Sequence, residues 1–114
     1  YIGTTPLNEA LKNRFIVIDV PYLQGEALEG MLRQQSLLKE EETLGLFVRL
    51  SQDLLSKVKE GQISEEAASI RSLLDACDLS TFMPSLRAIR RAIVDKLEDE
   101  REKSAVIQIA ETLF

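Results

Sequence analysis

Residues Leu7–Tyr22 read LNEALKNRFIVIDVPY, a short helical turn followed by an apolar strand that ends at a proline. Phe15–Val20 holds aromatic and β-branched residues with no alternation of polar positions, which is typical of a strand buried on both faces of a parallel sheet. One such strand cannot form a sheet by itself. The stretch therefore predicts that the other strands precede Tyr1 and that this chain is the end of a larger protein.

After Tyr22 the sequence predicts only helices. Apolar residues recur at helical spacing in five segments. These segments are about Gln24–Ser36, Glu42–Glu60, Ser64–Cys77, Ser85–Glu98 and Ala105–Phe114. We expect a mainly α fold, a compact bundle of four or five helices preceded by the helical turn and the strand. The predicted division is residues 1–22 as the end of one domain and residues 23–114 as a helical domain.

Two helix boundaries and three buried faces follow from this pattern. The predicted core face of the second helix is Leu44, Phe47, Leu50, Leu54 and Val58. Gly61 is expected to end the second predicted helix, and Ser64 to cap the third. The predicted core face of the third helix is Ala67, Ile70, Leu74 and Cys77. The predicted core face of the fourth is Leu86, Ile89, Ile93 and Leu97.

Composition excludes several classes of function. The net charge of −5 argues against nucleic acid as the main partner. The longest apolar run is Phe15–Ile18, far below the roughly 20 residues that span a bilayer, and no stretch has the layout of a signal peptide. The single cysteine, Cys77, fits a reducing compartment, so we expect a cytoplasmic protein.

Catalytic motifs are limited by what the sequence lacks. Without histidine there is no Ser-His-Asp or Cys-His arrangement and no imidazole metal site. No glycine is followed by lysine, so the phosphate-binding pattern GxxxxGK[ST] is missing. We predict no metal site in this chain.

The fourth predicted helix carries three cations, Arg87, Arg90 and Arg91. Arginine is the side chain best shaped to bind phosphate or carboxylate oxygens in a fork, so an anion among these residues is one interpretation. A solvated or salt-bridged face is the other. Periodicity alone does not decide between them.

Three short motifs resemble the AAA+ ATPases of the MoxR type, most closely the CbbQ, NorQ and GvpN branch. YIGTTPLNEALKNRFIVIDVPY is similar to the segment after the sensor-1 strand, with its AL..RF motif and apolar strand. Met83-Pro84-Ser85-Leu86-Arg87 resembles the Ser-x-Arg sensor-2 motif of the lid, and Leu97–Glu100 resembles the acidic corner before the last lid helix. The order and spacing of these motifs carry most of the resemblance.

The resemblance implies that this chain is the end of an ATPase core plus its helical lid. Arg14 would be an arginine finger that reaches the nucleotide of a neighbouring subunit in a homo-oligomeric ring. Arg87 would be the sensor-2 arginine. ATP and Mg would bind the full-length protein, which would remodel a client protein, whereas none is expected on this fragment alone. Because the phosphate loop is missing, the fragment should not hydrolyse ATP.

A second hypothesis belongs to a different class. The chain could be a free-standing helical adaptor whose arginines bind an acidic or phosphorylated partner.

Overall fold

A computed structural model describes residues 25–114, which form five α-helices and two 3₁₀ turns. The helices are α1 (Gly25–Gln35), α2 (Glu41–Lys59), α3 (Ile70–Leu79), α4 (Ser85–Ala92) and α5 (Glu100–Leu113). The 3₁₀ turns are Glu65–Ala68 and Val94–Lys96. This mainly α, compact arrangement confirms the predicted fold class. The predicted helical turn and strand, and the proposed 1–22 domain, lie outside the described residues.

Helix α2 is the centre of a single apolar core. It packs against α1, α3, α5 and the first 3₁₀ turn. Four of its five predicted core residues are fully buried, and Val58 is half-buried against the same cluster. The four are Leu44, Phe47, Leu50 and Leu54. The Phe47 ring also packs against Phe114, with ring centroids 5.0 Å apart, so the last residue of the chain closes onto the middle of α2.

The end of α2 follows the prediction. Gly61 has φ +77°, a left-handed conformation that glycine adopts without a Cβ clash. The Gly61 N–H donates to the Val58 carbonyl at 3.0 Å, and the Gln62 N–H donates to the Lys57 carbonyl at 2.9 Å. These two bonds form a Schellman motif, which satisfies carbonyls that the helix end would otherwise leave unpaired.

The predicted start of the third helix is wrong. Ser64 precedes the first 3₁₀ turn, and its side chain makes no capping hydrogen bond. Ser69 caps α3 instead, because its hydroxyl accepts from the Ser72 N–H at 3.1 Å and its extended ψ of 146° separates the two elements. This break resets the helical phase, so the core face changes. Ala67 and Cys77 are buried as predicted, whereas Ile70 and Leu74 are only half-buried and Leu73 and Ala76 are buried.

The fourth helix is shorter than predicted. Helix α4 ends at Ala92, and the chain then tightens into the second 3₁₀ turn, where two consecutive β-branched residues, Ile93 and Val94, are both buried. Ile93 and Leu97 are buried as predicted, as is Ile89. Leu86 is not, since 40% of it is exposed.

The buried face of α4 is set by small residues. Ala88 and Ala92 lie on either side of Ile89 and are almost completely buried. Alanines allow a close approach between helices, and α4 packs more extensively on α3 than any other pair of elements in residues 25–114 does. This packing turns Leu86 toward the surface.

Candidate functional site

The arginines of α4 form an exposed surface, which we call the arginine face: Arg87, Arg90 and Arg91. The face lies away from the side of the helix that Ala88, Ile89 and Ala92 bury. Helix α4 contains no acidic residue. The face is therefore a concentration of positive charge on a chain whose net charge is −5.

No ion pair within residues 25–114 neutralises the arginine face. The salt bridges of this part of the chain use other cations, namely Arg33, Lys57, Lys96 and Lys103. The described residues thus do not support a salt-bridged surface. The other two interpretations stay open: a face that is only solvated, and a face that binds an external anion.

The helix dipole treats the three arginines differently. Arg90 and Arg91 lie in the last turn of α4, where the partial negative charge of the helix end stabilises cations. Arg87 lies in the first turn, where the same dipole opposes a cation. The dipole therefore gives a structural reason for the last two arginines but not for Arg87.

The arginine face also divides into two stripes. Arg90 follows Leu86 by one helical turn, and both line a groove between α4 and α5. Arg87 and Arg91 are likewise one turn apart, on the neighbouring stripe, and do not line the groove. The sequence pattern predicts Leu86 in the core and the three arginines together on one adjoining face, so it does not separate these stripes.

The α4–α5 groove was not predicted from the sequence. Leu86 and Arg90 form its α4 side, Ile107 and Glu111 form its α5 side, and Ile89 lies at its base. Its volume is about 40 Å³, which is too small for a nucleotide. The groove is recognised by the exposure of Leu86. That exposure depends on how α4 packs, so it cannot be read from the sequence.

The roles predicted for Arg14 and Arg87 at a nucleotide both stay predictions. Arg14 lies outside the described residues, so its role stays a prediction. Arg87 is exposed in the first turn of α4, two residues after Ser85. The described residues around its guanidinium do not enclose a nucleotide.

Cys77 is buried in the core and has no reactive character. Burial in apolar surroundings, with a smaller contribution from the nearby charge of Asp78, raises the pKa of the Cys77 thiol from 9.0 to about 12. The thiol therefore stays protonated near neutral pH, and a protonated buried thiol is a poor nucleophile. Cys77 serves as a small apolar core residue.

Two further features, a metal site and a membrane span, are absent from residues 25–114. No group of three or more acidic or cysteine side chains there is arranged to hold a metal ion. In the same residues, no helix is both long and apolar enough to cross a bilayer.

The site thus belongs to a helical domain with an exposed cationic helix, and proteins of Bacillus and Staphylococcus are similar to it in sequence. The chain is 60% identical over all 114 residues to an uncharacterized Bacillus subtilis protein, YojN, of which it covers 38%. It is 54% identical over all 114 residues to uncharacterized proteins of Staphylococcus aureus strains NCTC 8325 and Mu50, covering 43% of each. The chain therefore spans about two fifths of the length of the curated relatives it matches.

No protein-family model matches the chain. No solved structure matches it either.

Proposed function

We propose that this chain is the lid-containing part of a MoxR-type AAA+ ATPase, which couples ATP hydrolysis to the remodelling of a client protein. The observation that carries the proposal is Arg87. It is an exposed cation in the first turn of a helix, in the Ser-x-Arg motif, with no carboxylate partner among residues 25–114. A phosphate oxygen is a natural partner for a guanidinium in this position.

Two further observations support the proposal. A helical domain made of residues 25–114 is what a lid requires, and the relatives are long enough to hold a nucleotide-binding core as well. More than half of YojN lies outside the match, and a core domain of ordinary size would fit there.

Arg14 and Arg87 would have separate roles. Arg14 would place its guanidinium beside the γ-phosphate of a neighbouring subunit and stabilise the negative charge that develops during phosphoryl transfer. Arg87 would contact the phosphates from the lid, so that the lid position would respond to the nucleotide. The Mg ion would neutralise phosphate charge in the core, and the residues that hold it are not among those described here.

The test uses the full-length protein expressed from its complete reading frame. Arg14→Ala should lower the rate of ATP hydrolysis by about 10³-fold or more while nucleotide binding is kept, since an arginine finger acts in the transition state. Arg87→Ala should lower hydrolysis and also weaken nucleotide binding. Phosphate release and the fluorescence of a labelled ATP analogue measure the two effects.

Arg49→Ala is the matched control for this experiment. Arg49 is an exposed arginine on α2 without an ion pair in the described part of the chain. Its replacement should leave both the rate of ATP hydrolysis and the affinity for nucleotide unchanged. Full turnover by the Arg14→Ala protein would remove Arg14 from the finger role, and Arg87→Ala behaving like Arg49→Ala would remove Arg87 from the nucleotide site.

The adaptor hypothesis remains the alternative, because the unneutralised arginine face also favours an acidic partner. The gene distinguishes the two. A GxxxxGK[ST] motif roughly 100 to 150 residues upstream in the same reading frame supports the ATPase. A reading frame that begins near Tyr1 supports the adaptor.

A further inference from the structure

We propose that the α4–α5 groove docks an acidic amphipathic helix of a partner protein. The proposal does not rest on ATP hydrolysis, because the groove and the position assigned to the nucleotide are on different stripes of α4. The groove would recognise a client protein, or another partner, through such a helix.

The groove presents apolar surface that residues 25–114 leave uncovered. Leu86 is 40% exposed on one side, and Ile107 is half-buried on the other. Ile89, at the base, is almost completely buried. A partner side chain that reached this base would therefore cover Leu86 and Ile107 from solvent, which favours an apolar residue at that point.

The shape of the groove favours a helix as the occupant. Its two sides are helices, and a third helix can lay an apolar stripe between them, as in other helix-in-groove interactions. A strand would need an exposed sheet edge to pair with, and residues 25–114 contain no strand.

The positive charge beside the groove favours an acidic helix as the occupant. Arg90 lines the groove, and Arg87 and Arg91 lie on the adjoining stripe, so the α4 side is strongly positive. Glu111 faces it from the α5 side, yet no carboxylate of residues 25–114 pairs with any of the three arginines. An acidic flank of the partner would lie along α4, where opposite charges meet.

Nucleic acid is a less suitable partner. A phosphate backbone has no apolar stripe for Leu86 and Ile107, and it would be repelled by Glu111 and by the net charge of −5.

The experiment measures peptide binding to the 114-residue chain without nucleotide. The probe is a fluorescein-labelled 18-residue peptide with leucines along one helical stripe and glutamates elsewhere. One comparison peptide has lysine in place of glutamate, and another has the same composition in scrambled order. Fluorescence anisotropy should show binding of the first peptide only, and binding should weaken as salt is added.

Substitutions at the groove give the sharper test. Arg90→Glu should lower the affinity by about tenfold or more, because repulsion replaces attraction at the rim. Leu86→Ala should lower it by about fivefold through lost apolar contact. Glu111→Gln should raise it about twofold, because a repulsive charge opposite the arginines is removed.

Matched controls separate the groove from the overall charge of the chain. Arg49→Glu and Glu42→Gln change the net charge by the same amounts at exposed positions on α2, and both should bind the peptide like the unsubstituted chain. Circular dichroism should show the same helix content in all variants, since every substituted position is exposed.

Four results would overturn the proposal. They are equal binding of the scrambled or lysine peptide, an Arg90→Glu affinity no lower than that of Arg49→Glu, tighter binding of a DNA oligonucleotide than of the acidic peptide, and a concentration-dependent dimer that Arg90→Glu abolishes. The last result would assign the groove to a second copy of this chain. None of them depends on ATP hydrolysis, so failure here is distinguishable from failure of the ATPase proposal.

Discussion

Cations are paired with carboxylates at the α1–α2 corner, where the end of α1 meets the start of α2, but not on the arginine face. In the corner, the Arg33 guanidinium lies 3.0 Å from the Glu29 carboxylate and 3.1 Å from the Glu41 carboxylate, so the charge is neutralised within the domain. On α4, three arginines have no such partner in residues 25–114. The corner joins two helices of the core, whereas α4 leaves its positive charge available to something outside the domain.

The same contrast holds for large apolar side chains. Near the corner, α2 buries Phe47 completely. Next to α4, the aromatic ring of Phe82 in the α3–α4 loop is 68% exposed, and Leu86 is also partly exposed. The α2 side of the domain is thus built for stability, and the α4 side presents surface. Three pairs of substitutions test this comparison.

The largest effect is expected from the two phenylalanines. Phe47→Ala should lower the free energy of unfolding by about 3 to 5 kcal/mol, because it removes a fully buried ring and leaves a cavity. Phe82→Ala should change it by less than about 0.5 kcal/mol, as for most surface positions. Urea denaturation followed by circular dichroism measures both. Similar losses for the two variants would mean that the α4 side is as important to stability as the core.

A smaller effect is expected at the start of α3, the helix that supports α4. Ser69→Ala should lower the free energy of unfolding by about 1 kcal/mol, because the Ser72 N–H loses its capping acceptor. Ser64→Ala is the matched control and should have little effect, since the Ser64 side chain caps nothing. The same urea titration applies. If Ser64→Ala costs more than Ser69→Ala, the helix starts where the sequence predicted.

The smallest effect is expected from the cations themselves. Arg33→Ala should cost no more than about 1 kcal/mol, and the loss should shrink as salt is added, because its two ion pairs are partly exposed. Arg90→Ala should change the free energy of unfolding by less than about 0.5 kcal/mol, since no ion pair of residues 25–114 uses Arg90 and only its interaction with the helix end is lost. A salt-dependent loss at Arg90 as large as the loss at Arg33 would reveal an internal partner and weaken the case for an external one.

Much of the helical fold was predictable because its signals are local. The apolar stripe of α2 and the glycine that ends it lie within one continuous helix, where a spacing of 3.6 residues relates sequence directly to a buried face. Leu44, Phe47, Leu50 and Leu54 are buried as predicted, and Gly61 forms the expected cap. The strand and Arg14, by contrast, lie outside the described residues and stay predictions.

The errors occur where a helix is interrupted. Counting from Ser64 assumed one continuous helix, but the extended backbone at Ser69 shifts the phase of every later residue. Among the predicted core residues of α4 only Leu86 is exposed, and the reason there is different. The prediction gave weight to the large residue Leu86 and overlooked Ala88 and Ala92, whose small size lets α4 lie close to its neighbour.

The candidate site likewise has features that local sequence predicts and features that only packing decides. The sequence by itself determined three features: the amphipathic helices of residues 25–114, the single helix that carries the three arginines, and the core position of Cys77. Each of these depends on neighbours within a few helical turns. Only the tertiary structure decided that Leu86 is exposed and that Arg90 faces Glu111 across a groove. Those two residues are separated by most of α5 and the second 3₁₀ turn, and only packing of the helices brings them to one surface.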